Sequence, residues 1–135
     1  MKGPDLPLEL EFPCSVDIND DEIFIFGYAI FERNFVGLIF NQMANSMENI
    51  TFNNFPCYYR HKVSRLSCAY LKHDDSVVTA VDDCIAILNL TSWKWNISSL
   101  DYNQGLVFNA EDSVIFIGSN MNDGSDIYQV NLIIF

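Results

Sequence analysis

Apolar and polar residues between Leu66 and Asn96 fall into four short runs, at 66–71, 76–81, 84–89 and 93–96, separated by polar breaks. The runs are rich in β-branched and aromatic residues and the breaks carry Asp, Ser or Asn, so each run reads as a strand bounded by turns. The breaks are only two to four residues long. A parallel crossover needs far more chain, so neighbouring strands pair antiparallel as a meander.

The flanks repeat this pattern. Upstream, residues 12–18, 23–27, 35–41 and 49–52 are strand-like, with a turn at 19–22, a loop through Arg33 and Asn34, and a connection at 42–48. The continuous apolar run at 23–27 suits burial on both faces. Residues 43–47 have room for one helical turn, the main helical signal in the chain. A polar, basic connector occupies 53–65. Downstream, residues 105–109, 113–118 and 126–132 supply three more strands, around a turn at 110–112 and a loop at 119–125. The expected fold is all-β: one domain over 1–135, made of antiparallel four-stranded units at about 12–52, 64–98 and 105–135, the last lacking its fourth strand.

Landmarks superimpose between the units. The runs at 23–27, 77–81 and 114–118 match, and each follows an acidic turn. Asn41, Asn89 and Asn131 end the third strands, 48 and 42 residues apart. Cys14 and Cys68 each lie nine residues before a matched second strand. A period in the forties with four strands per period is the pattern of propeller blades.

Composition narrows the function classes. Half of the 135 residues are hydrophobic and 14% aromatic, which supports a packed core over disorder. The net charge of −11 repels nucleic acid and anionic lipid, so neither is an expected partner. The first residues carry acids and prolines where a signal peptide has an apolar stretch, and no run reaches about 18 apolar residues. The expected location is cytoplasmic. With an ample apolar core, Cys14, Cys57, Cys68 and Cys84 are expected as reduced thiols. The triplets at Asn49, Asn89 and Asn96 fit the N-glycosylation acceptor pattern, but without an entry signal they read as chance occurrences.

The repeating unit resembles a degenerate kelch repeat. Asn89 is followed six residues later by Trp95, as in the step from the third strand to the family's fourth-strand Trp. The family's Gly pair is reduced to Gly27 and Gly118, each followed by another residue, and is absent at Val81 and Asp82. Leu88 stands at the aromatic position of the middle unit, and Tyr128 lies in the corresponding strand of the last. The resemblance implies a partial kelch-like β-propeller; a β-sandwich is the alternative with similar turn spacing. Since closed propellers use at least about four blades, two full units and most of a third suggest a fragment, or a piece that self-associates through an open edge.

Candidate chemistry is sparse. Cys57, His61, Cys68 and His73 alternate in zinc-like fashion, but a strand rising about 3.3 Å per residue over 66–71 holds the two ends too far apart for one ion. The segment 120–126 has calcium-loop composition, yet Met121 and Val130 fall where ligands belong. The adjacent acids at Asp20 and Asp21, Asp74 and Asp75, and Asp82 and Asp83 are hairpin chemistry. No nucleophile elbow, phosphate loop or dinucleotide fingerprint occurs. Neither a cofactor nor a metal is expected. Trp93 and Trp95, two apart, are expected to share a strand face and to pack.

In an antiparallel four-strand unit, the first-to-second and third-to-fourth turns lie at one end, and the second-to-third loops and connectors at the other. The first end gathers Asp20, Asp21, Glu22, Asp74, Asp75, Glu111 and Asp112 against Lys72 alone. The other, the loop face, collects Arg33, Arg60, Lys62 and Arg65, with Asp82, Asp83, Asp123 and Asp126. Those four basic residues are the candidate partner-binding set, suited to an acidic protein segment. The expected function is a non-catalytic protein-interaction module, a substrate adaptor or scaffold as the kelch resemblance implies. The alternatives are a propeller enzyme of the galactose oxidase type, for which two histidines give weak footing, and a degenerate gene fragment with no binding role.

Overall fold

A computed structural model describes residues 5–52, 55–57, 66–81, 84–98, 105–120 and 129–134. Among these residues the fold is all-β, with antiparallel sheets and one short 3-10 turn at Lys72–Asp74. The strands are β1 (Leu10–Asp17), β2 (Glu22–Ala29), β3 (Asn34–Asn41), β4 (Ser46–Ile50), β5 (Leu66–Leu71), β6 (Ser76–Val81), β7 (Cys84–Asn89), β8 (Lys94–Ser98), β9 (Gly105–Ala110), β10 (Ser113–Asn120) and β11 (Gln129–Ile134). Each sheet is a meander in chain order: β1-β2-β3-β4, β5-β6-β7-β8 and β9-β10-β11. The chain divides into two compact units, residues 1–51 and 52–135.

The first unit is the β1–β4 sheet. Along β2, Phe24 and Phe26 are fully buried while Ile23 and Ile25 are half-buried, so the apolar run is deeply covered on one face and partly on the other. Phe26 stacks on Phe35 at 5.4 Å between ring centroids, Ile39, paired with Phe24, is buried on their face, and Leu38, paired with Ile25, is buried on the other. Asparagine side chains shape the turns. Asn19 Oδ1 accepts from the backbone N–H groups of Asp21 and Glu22, both at 2.9 Å, and Asn41 Oδ1 accepts from that of Ala44 at 3.0 Å. Residues 42–45 form this tight turn, with Asn45 at φ 48°, so the helical turn expected at 43–47 gives way and β4 starts three residues earlier than its apolar run indicates.

β1 carries a bulge. Its register with β2 shifts between Glu11 and Cys14, and Phe12 takes φ 48°. Gly27 makes room for it, because a Cβ there would lie 3.3 Å from both the Cβ of Leu10 and the Cα of Pro13.

The second unit packs β5–β8 against β9–β11. β6 is buried at every position, and Thr79 satisfies its hydroxyl by donating to the Ala86 carbonyl at 3.2 Å. Ala69, Leu71, Val78, Ala80, Ile85, Val107, Val114 and Phe116 form one core joining the two sheets. The sheets meet closely along their first strands, β5 and β9. Val107 N donates to Ser67 Oγ at 2.9 Å, and Asn109 bonds to the backbone of Tyr70. Contacts advance with residue number on both strands, so β5 and β9 run in the same sense.

Two further expectations change. Cys57 is disulfide-bonded to Cys84, with Cα atoms 5.7 Å apart, and Cys14 and Cys68 are also oxidised, leaving no free cysteine. The expectation of reduced thiols therefore fails. An apolar core makes disulfides unnecessary for folding but does not keep thiols apart. Trp93 sits in the turn before β8 at φ 55°, while Trp95 is buried in the strand, so they do not share a strand face. Trp95 packs edge-on with Phe52 at 5.4 Å and Phe55 at 4.8 Å.

Candidate functional site: a loop-borne interaction surface

The β2–β3 hairpin of the first unit closes through residues 30–33. Ala29 pairs with Asn34 as its last rung, and Ile30 N donates to the Glu9 carbonyl at 3.3 Å, tying the loop to the chain entering β1. Beyond that anchor, Ile30 is 41% exposed and Phe31 77% exposed. Arg33 follows, exposed and at φ 54°. An aromatic and an aliphatic side chain thus stand in water on the same short loop as the Arg33 guanidinium and the Glu32 carboxylate, a combination that can bury an apolar residue and pair with a neighbouring charge.

Of the four basic residues expected to act together, Arg33 is placed at this tip. Arg60, Lys62 and Arg65 lie outside the described residues, as do Asp82, Asp83, Asp123 and Asp126. The charge-based reading did not name the exposed pair Ile30 and Phe31. The signal was present in the sequence as two apolar residues inside a turn, followed by Glu32 and Arg33.

The acidic turns of the second unit form a different surface. Lys72 Nζ lies 3.6 Å from Asp112 Oδ1, which brings the β5–β6 and β9–β10 turns to one end of the unit. Both groups are exposed, so the pair adds little stability. Asp75, at φ 47°, accepts a hydrogen bond from Tyr70 Oη at 2.7 Å. Burial first, then the hydrogen bond and the charge of Asp75, push the Tyr70 phenol up from 10.0 to about 12. These contacts order the turn.

Among the described residues no group of three His, Cys, Asp or Glu is arranged to hold a metal ion. Cys57 and Cys68 are oxidised and His61 lies outside the described residues. The segment 121–128, with its calcium-like composition, also lies outside them. Among the described residues no helix is long and apolar enough to cross a membrane. Neither a known protein-family model nor a curated protein matches this chain.

Proposed function

We propose that this chain is a non-catalytic protein-interaction module of kelch-like propeller type, binding an acidic partner segment through its loop face. The observation that carries the reading is the exposed Ile30 and Phe31 beside Arg33 at the tip of the β2–β3 hairpin. With Arg33 on the same loop, an acidic partner with one apolar residue has both halves of its recognition met, and Arg60, Lys62 and Arg65, which lie outside the described residues, stay in the proposed set on charge alone.

Two features support tandem blades. The sheets of the second unit meet along first strands that run in one direction, as blades around a common axis require. The four-strand sheets also share a local device: Gln42 N donates to the Asp21 carbonyl at 2.7 Å, and Leu90 N donates to the Asp75 carbonyl at 3.0 Å. In each, the residue after the asparagine that ends the third strand is tied to the first turn.

The oxidised cysteines favour an oxidising compartment over the cytoplasm expected from the amino-terminal composition.

The test is binding to an array of acidic peptides that each carry one aromatic or aliphatic residue. Phe31→Asp and the combined Arg33, Arg60, Lys62 and Arg65 to Ala variant are expected to lose capture separately. Equal capture by wild type and both variants would overturn the reading.

A further inference from the structure

We propose that Asn49 and Asn96 are acceptor sites for N-linked oligosaccharides, and that Asn89, in the third triplet of the same pattern, is not. Asn49 is followed by Ile50 and Thr51, and Asn96 by Ile97 and Ser98. Asn49 is exposed on β4, the outermost strand of the first sheet. Asn96 is exposed on β8, the outermost strand of the second. Its neighbour Trp95 is buried, so strand alternation turns Asn96 away from the aromatic cluster.

An independent observation fits the compartment where such transfer occurs. All four cysteines are oxidised, and disulfides persist in the oxidising secretory lumen that also holds the glycosylation machinery. The acceptor triplets and the disulfides therefore give one answer about compartment.

Asn89 has the same triplet but a different environment. Its Oδ1 accepts from Thr91 N and Ser92 N, each at 2.9 Å, and from Ser92 Oγ at 3.2 Å, while its carbonyl accepts from Trp93 N at 2.8 Å. The side chain is half-buried, and the triplet is bent into the β7–β8 turn. Its amide oxygen is committed to shaping that turn, which fixes the side chain in the bend.

The co-reactant is an oligosaccharide linked to a lipid pyrophosphate. Transfer forms a C–N bond between asparagine Nδ2 and the anomeric carbon and breaks the anomeric C–O bond. The amide nitrogen releases one proton, and the lipid pyrophosphate leaves with the bonding pair. No group changes oxidation state. A glycan on an outermost strand covers backbone groups that otherwise invite edge-to-edge pairing.

The test is cell-free translation of the full chain, with a cleavable signal peptide placed ahead of Met1, in the presence of microsomal membranes. Protease protection identifies the translocated product, and an amide-cleaving glycosidase reports glycans as gel steps. Wild type is expected to show two steps, Asn49→Gln and Asn96→Gln one each, the double variant none, and Asn89→Gln the wild-type two. Thr51→Ala and Ser98→Ala, which keep the asparagines, are expected to repeat the single losses whatever the glutamine variants do to folding. A protected wild-type product without glycosidase-sensitive steps, steps surviving in the double variant, or a step lost in Asn89→Gln would overturn the proposal.

Discussion

The Asn109 side chain and the Tyr70 peptide group exchange two hydrogen bonds: Tyr70 N donates to Asn109 Oδ1 at 2.8 Å, and Asn109 Nδ2 donates to the Tyr70 carbonyl at 2.6 Å. Tyr70 lies on β5, the outermost strand of its sheet on that side, so its peptide lacks a strand neighbour there. The amide of Asn109, reaching from β9, supplies the donor and acceptor that such a strand would offer. Because the site is exposed, water can replace part of what is lost. Asn109→Ala is expected to cost about 1 kcal/mol. Asn109→Asp, which sets a carboxylate against the Tyr70 carbonyl, is expected to cost at least as much. Both are checked by urea denaturation followed by Trp fluorescence, since both tryptophans lie in the second unit.

The Tyr70 and Asp75 pair has a pH consequence. With the phenol raised from 10.0 to about 12, the folded protein holds this proton more tightly than the unfolded chain. The associated stability is fully present below pH 10 and is lost as pH rises towards 12. Asp75→Asn removes the charge and leaves only a neutral amide acceptor, and the phenol midpoint is expected to fall part of the way from about 12 towards 10, keeping the part due to burial. The difference in phenolate absorbance between each protein and its Tyr70→Phe counterpart isolates this tyrosine among six. An unchanged midpoint in Asp75→Asn would refute the assignment.

The Cys57–Cys84 bridge spans 27 residues and fixes the segment before β5 to the start of β7. Closing a loop of that length in the unfolded chain is worth about 3–4 kcal/mol. The Cys57→Ala, Cys84→Ala double variant is expected to lose stability of that order in urea. Phe55 packs on Trp95 only two residues from Cys57, so the native Trp emission is expected to shift as well.

Gly27→Ala tests the first unit. The added methyl meets the Leu10 Cβ and the Pro13 Cα at 3.3 Å, and the second of these is backbone that yields only if the bulge moves. The expected cost is about 1–3 kcal/mol. Hydrogen exchange checks it, with loss of protection centred on β1 and β2; unchanged protection there would show that the bulge adapts freely.

The strand pattern was legible wherever local alternation and turn chemistry agreed. β6 and β7 coincide with the runs read from the sequence, and the turn at Asn19 uses a short polar side chain as the sequence implied, whereas the tight turn capped by Asn41 replaces an expected helical turn. β4 was misplaced because the first residues of that strand, Ser46 and Glu48, are polar on an outermost strand and give no apolar signal. The candidate site was legible in part. Arg33 was identified from charge, whereas Ile30 and Phe31 beside it are notable only once their exposure is known.

By itself the sequence determined that the chain is a succession of short strands joined by turns too brief for anything but antiparallel neighbours, because period-two alternation and turn propensity act over a few residues. Only the tertiary structure decided what meets across long separations: Cys57 with Cys84, Asn109 with Tyr70, and the core shared by Val78, Val107 and Phe116. Those meetings depend on how one sheet lies against another, and the surfaces that set this are assembled from residues about 30–50 positions apart, beyond the reach of any local pattern.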